Sequence, residues 1–137
     1  MVDNLTPRQR SYCMSRVKGK DTGLETLLRS RLHKRGLRFR KHVKKLPGKP
    51  DIAFLKIKIA VFIDGDFWHG YKFPLWEEKL SEFWRIKIRK NRERDKKNFT
   101  TLRRGGWKVI RIWQHQIKRD LDVCISRVVK AVESFST

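Results

Sequence analysis

The chain has 137 residues, 35 Lys and Arg against 14 Asp and Glu, and a formal net charge of +21. That length suits a single domain over 1–137 built on one hydrophobic core, and 39% hydrophobic residues with five Trp exclude a disordered basic tail. No run of about 18 apolar residues is present to span a membrane, and the N-terminus has no apolar h-region of a secretory signal.

Cys13 and Cys124 lie far apart with no CxxC pair, which fits a reducing, intracellular setting without a disulfide framework. A folded, aromatic-rich chain of this charge points to nucleic acid as its partner, because Lys and Arg displace condensed counterions from phosphates. A membrane surface fits less well, since no basic amphipathic helix with a wide apolar face stands alone.

Residues 1–20 carry many positive charges without clear periodicity and read as a basic N-terminal arm. A helix is predicted from Thr22 to Lys34, with Leu24, Leu27, Leu28 and Leu32 as its stripe and Gly36 as its stop. Thr22 and Glu25 have the spacing of a capping box. A short strand follows at Leu37–Val43, then turn chemistry in LPGKP (46–50). Asp51–Leu55 and Ile57–Asp64 read as strands joined by a tight connection, the second apolar on both faces and therefore central. A long helix is expected from Glu77 to Arg104, with Leu80, Phe83 or Trp84, Ile88, Asn91, Asp95, Phe99 and Leu102 on one stripe. Gly105 and Gly106 end it. Trp107–Trp113 is a further strand, with Trp107, Val109, Arg111 and Trp113 on one face, and a last helix buries Leu121, Ile125, Val128, Val132 and Phe135. The order α-β-β-β-α-β-α describes an α/β protein with a mixed sheet flanked by helices.

Acids are scarce, so those in apolar context carry information. Asp51 opens a strand after a proline turn, and Asp64 and Asp66 end the next one, with His69 five residues beyond Asp64. If these meet at one sheet edge, two or three oxygens and an imidazole converge in a set suited to Mg²⁺ and to phosphodiester hydrolysis. The plainer alternative is that Asp51 caps a turn and Asp64-Gly65 opens a loop. Asp95 on an apolar stripe needs a partner, for which Arg92 or Lys97 is the simple choice. Phe67 and Trp68 sit in a loop amid positive charge, where aromatics stack on bases or wedge between them. The alternative is that they fold back on the core, which is also the default for Trp84.

At these residues the chain resembles the very short patch repair (Vsr) DNA mismatch endonucleases. The resemblance covers about residues 8–125 and is carried by RSYCMSRVKGKDTGLE, LPGKPDIAF, VFIDGDFWHG, EFWRIKIRKNRERD and GWKVIRIW in one order. It implies a restriction-endonuclease-like (PD-(D/E)xK-type) fold and a Mg²⁺-dependent hydrolase that nicks one DNA strand 5′ of the mispaired T at a T:G mismatch in mismatch repair. By that resemblance Asp51 is the Mg²⁺-binding aspartate, Ile63 a ligand through its carbonyl, and His69 the histidine that activates water. Glu25 and Asp95 match acidic positions that support the catalytic site. Phe67, Trp68 and Trp84 match aromatics that wedge into the mismatch, and Met14 of the arm matches the residue entering from the other groove. The implied partner is double-stranded DNA, met by a monomer in the cytoplasm of a prokaryote, at its nucleoid, with mismatch-repair proteins as further partners.

Two departures stand out. Well-known members hold a structural zinc where this chain has Asp66, Tyr71 and Phe73, so no structural zinc is expected and apolar packing should replace it. Typical members also carry a histidine at position 64. Asp64 adds a carboxylate beside Asp51, as a further metal ligand or as a change in the chemistry. A same-fold nuclease with another DNA target (homing or restriction-associated) and a non-catalytic DNA-binding module remain the alternatives.

Overall fold

The structure, a computed structural model, describes residues 22–136. The basic arm, with Cys13 and Met14, lies outside the described residues.

Helix α1, Thr22–Lys34, has the predicted bounds. Its end is set by Gly36 at φ 86°, where Leu37 N–H reaches Leu32 O at 3.2 Å and Gly36 N–H reaches His33 O at 2.9 Å. These two bonds make a Schellman stop, which needs a residue that tolerates positive φ. Leu28 and Leu32 are buried, whereas Leu27 is largely exposed.

Strand β1 is only Arg40–Lys41, shorter than predicted because His42 turns left-handed at φ 50°. Strands β2, Ile52–Phe54, and β3, Ile59–Asp64, form an antiparallel pair, and every residue of β3 is buried. Between β3 and the next long helix the chain makes two short 3₁₀ turns, Phe73–Leu75 and Glu77–Lys79. Helix α2 therefore runs Glu82–Arg104 rather than starting at Glu77, because Leu80 is extended and Ser81 takes the N-cap position. Its C-terminus repeats the Schellman stop: Gly106 has φ 88°, and Trp107 N–H reaches Leu102 O at 3.0 Å.

Strand β4, Lys108–Trp113, pairs parallel to β3, so that Phe62 lies opposite Arg111, Ile63 opposite Ile112 and Asp64 opposite Trp113. The sheet order is β1-β2-β3-β4. A short helix α3, Gln114–Arg119, precedes helix α4, Leu121–Ser136. Asp120, at φ −155° and ψ 87°, breaks the two apart. On α4 the buried residues are Cys124, Ile125, Val128 and Ala131, while Phe135 is exposed.

Alternation in β3 and β4 sends side chains to two cores. Ile59, Val61, Ile63, Ile110 and Ile112 pack with α1, α3 and α4. Ala60 and Phe62 pack with Phe99 and Leu102 of α2. The sheet is thus covered by helices on both faces, in agreement with the restriction-endonuclease-like fold. On the α2 side a separate cluster of Phe73, Leu80, Trp84 and Ile88 lies under Phe67, Trp68 and Trp76.

Candidate active site

The buried acidic side chains among the described residues are Glu25, Asp51, Asp64 and Asp95. The sequence singles out these four and Asp66, which is half-buried. Burying a carboxylate in an apolar core is unfavourable unless hydrogen bonds or a cation compensate it, so four of them close to one strand end mark a site.

Asp51 precedes β2, and its Oδ2 accepts the Ile63 backbone N–H at 2.6 Å. The side chain thereby replaces a ladder partner that β2, starting at Ile52, is too short to supply. Glu25 comes from α1 on the other side of the sheet end. Its Oε1 accepts a hydrogen bond from His42 Nε2 at 2.6 Å and pairs with Arg29 at 3.1 Å. The carboxylate is thus held by His42 and Arg29. Ligand atoms of Glu25, His42 and Asp51 lie within 4.8 Å of one another.

A second cluster adjoins it one residue along β3. Atoms of Asp64, His69 and Asp95 also lie within 4.8 Å. His69 Nδ1 donates to Asp95 Oδ2 at 2.7 Å, and its Nε2 is 3.4 Å from Asp64 Oδ1. Arg111 enters between the acids, Nε donating to Asp64 Oδ2 at 2.7 Å and Nη2 to Asp95 Oδ2 at 2.8 Å. Asp95 is therefore paired across the sheet with Arg111 and His69, not with Arg92 or Lys97, both of which are exposed. Asp64 belongs to this cluster and not to that of Asp51. Asp51 and Asp64 thus stand in separate clusters, and Arg111 binds Asp64.

His69 reaches this position because residues 65–72 coil tightly after β3. His69 N–H bonds Gly65 O at 3.1 Å, and Tyr71 N–H bonds Asp66 O at 2.8 Å. Asn91 of α2, buried, donates through Nδ2 to Trp68 O at 2.9 Å and fastens the loop immediately before His69. That bond accounts for an amide on an apolar helix stripe.

Phe67 and Trp68 are half-buried. Phe67 stacks on Trp76 with centroids 5.6 Å apart, Trp68 meets the edge of Trp84 at 6.3 Å, and Lys87 Nζ lies 5.4 Å from the Trp68 ring centre. Trp84 itself is only 6% exposed. It lies beneath the other two, in the place its helix stripe dictates. Nearby, Phe83 is 55% exposed.

The three positions that the resemblance connects with zinc have different surroundings. Asp66 Oδ1 accepts from His115 Nδ1 at 2.6 Å, the Tyr71 ring lies 4.4 Å from that of His115 and 4.9 Å from that of Trp113, and Phe73 is buried in the aromatic cluster. Apolar packing is only part of what stands there. The Asp66–His115 contact ties the loop to α3.

His42 and Arg111 were not singled out by sequence reasoning. Arg111 left a signal, being the only charged residue among Val109, Arg111 and Trp113 on one face of β4. His42, in a run of basic residues, left none.

Residues 2–75 match the family described as DNA mismatch endonuclease Vsr. A type II nicking enzyme of Neisseria meningitidis serogroup C is 39% identical over 137 residues, covering 96% of this chain and 90% of that protein. A type II nicking enzyme of Xanthomonas oryzae pv. oryzae is 40% identical, covering 85% and 88%. The DNA mismatch endonuclease Vsr of Escherichia coli K12 is 35% identical, covering 83% and 74%. With likeness of this extent, and with the buried acids and His69 gathered at one end of the sheet, the chain belongs to the Vsr family of DNA mismatch endonucleases and is itself a DNA endonuclease.

Proposed function

We propose that this endonuclease nicks one strand of duplex DNA 5′ of the mispaired T in a T:G mismatch, with Mg²⁺ as cofactor, as a step of very short patch mismatch repair. The observation that carries this reading is the pair of clusters near the end of β3, Glu25, His42 and Asp51 in one and Asp64, His69 and Asp95 in the other, with half-buried Phe67 and Trp68 in the loop that carries His69.

The two clusters differ in their fit to Mg²⁺, which prefers oxygen ligands. Asp51 offers a buried carboxylate, and that of Glu25, held by His42 and Arg29, stands beside it. Ile63 turns its N–H towards Asp51, and in an extended strand the carbonyl of the same residue points to the same edge. Asp51 and the Ile63 carbonyl would hold the ion, with Glu25 beside them. The Asp64 cluster does not fit, because a guanidinium already lies between its carboxylates. When bound, Mg²⁺ would neutralise charge on the scissile phosphate and favour formation of the attacking hydroxide.

Within the chain's own residues the division of labour follows from hydrogen bonding. Asp95 is a carboxylate and can only accept, so His69 Nδ1 carries a proton, and in the neutral imidazole Nε2 then keeps a lone pair. Nε2 takes a proton from water, the water oxygen bonds to phosphorus, the P–O3′ bond breaks, and the departing O3′ takes a proton from solvent. The products are a 3′-hydroxyl and a 5′-phosphate. Phe67 and Trp68 favour a mismatch because unstacking a weakened step costs less than unstacking an intact one.

The test is a nicking assay with Mg²⁺ on T:G duplex, matched T:A duplex and supercoiled plasmid, with Asp51→Ala alongside. Wild type is expected to nick the T:G strand 5′ of T, and Asp51→Ala none of the substrates. Equal nicking of T:A and T:G would overturn the mismatch reading in favour of a same-fold nuclease with another target. Undiminished nicking by Asp51→Ala would overturn the site.

A further inference from the structure

Arg111 projects from β4 towards α2 and is held on every side. Its Nε and Nη2 bind Asp64 and Asp95, its guanidinium centre lies 5.1 Å from the Phe99 ring and 4.2 Å from that of Trp113, and its backbone carbonyl accepts from Arg127 Nη2 at 3.0 Å. The side chain is 25% exposed, so this is a built position and not a surface cation free to follow DNA.

Two carboxylates beside one imidazole create a conflict. Asp95 must hold Nδ1 so that Nε2 faces water, yet Asp64 Oδ1 lies 3.4 Å from Nε2. A carboxylate at 64 that swung closer would draw a proton onto Nε2 and occupy the space of the attacking water. The fork of Arg111 resolves the conflict: Nε draws Asp64 Oδ2 away from the ring, while Nη2 holds the same Asp95 oxygen that accepts from His69. Only a planar guanidinium supplies two donors at fixed separation for this purpose.

We propose that Arg111 is a positioning residue of the nicking reaction, bridging Asp64 and Asp95 so that His69 keeps Nε2 open to water. Asp64 and Arg111 act as one unit. The inference rests on His69 being the base.

The test compares wild type, Arg111→Leu, Arg111→Lys, Asp64→Ala and the double variant Asp64→Ala/Arg111→Leu. It measures kcat and KM on the duplex that wild type nicks best, thermal melting, and the ¹⁵N imidazole NMR signals of His69 without added metal. Arg111→Leu is expected to lower kcat by about 100-fold, the scale of a misplaced catalytic group, with KM within about twofold. Arg111→Lys, which keeps the charge, should recover roughly tenfold of that loss, since one ammonium can serve only one acid. The double variant should be no slower than Arg111→Leu, because the competing carboxylate is gone. NMR should show a single Nδ1–H tautomer in wild type and a mixture in Arg111→Leu.

Unchanged kcat, a rise in KM alone, losses that multiply in the double variant, or a loss equal to the unfolded fraction would each overturn the proposal. If wild type nicks no duplex, His69 as base fails first. The tautomer measurement then decides on Arg111 separately, and one tautomer in both proteins overturns its role.

Discussion

A carboxylate removed from water costs several kcal/mol unless a partner meets it. Glu25 meets His42 and Arg29, Asp51 meets the Ile63 amide, and Asp64 and Asp95 share Arg111. These partners come from other segments, which is why sequence pattern could mark the acids as anomalous without saying what satisfies them. Cys124 shows the same physics in a neutral group. It is buried against the sheet, and loss of water around the sulfur raises its pKa above the ordinary thiol value, Arg127 opposing the rise and Asp120 adding to it. The folded protein therefore retains the thiol proton at a pH where the unfolded chain has lost it. The associated stability is complete below the unfolded thiol pKa of about 8.5 and disappears as pH climbs through the higher folded value. Urea midpoints between pH 7 and pH 10 should accordingly fall more steeply in wild type than in Cys124→Ala. Parallel pH profiles would contradict this account.

At the scale of elements, the piece that matters most is the coil from Gly65 to Lys72 seated on α2. A Cβ on Gly70, where φ is 70°, would lie 2.7 Å from Arg92 Cδ and 2.8 Å from Ile88 Cγ2. Gly36 has φ 86° but nothing within 4 Å. Both alanine variants should therefore lose about 1–3 kcal/mol from left-handed strain, measured by urea unfolding. Only Gly70→Ala should also slow nicking, because only there does the new methyl push the loop, and His69 with it, off the helix. Helix α1 and strand β3 were legible because a leucine stripe closed by glycine and a run buried on both faces leave little choice. The start of α2 was not. Glu77–Lys79 does coil, but as a 3₁₀ turn that Leu80 interrupts, and one turn of either helix reads alike in sequence. Helix α3 escaped notice because Ile117 is its only buried apolar residue. Asp51, Asp64 and His69 were placed at the correct end of the sheet, but their division between two clusters depends on Arg111, 47 residues beyond Asp64.

For the whole molecule, the charge of +21 sets affinity and leaves discrimination to the site. Phosphate contacts position a duplex without reading its bases. Six to ten of them would make binding fall by about 10³–10⁵ between 50 and 200 mM salt. The ratio of T:G to T:A affinity should stay constant across that range in titrations on labelled duplexes, whereas a ratio that collapses with salt would place discrimination in the charge itself. The parallel pairing of β3 with β4 has a consequence in time. Contacts within α1 and the β2–β3 hairpin are local, whereas Asp64 meets Arg111 across 47 residues, so that pair needs β4 in place and a long loop closed. A chain still emerging from the ribosome already carries much of the charge that draws it to DNA, but not yet the arrangement that cuts. Completion of the fold is thus the safety catch on the nuclease.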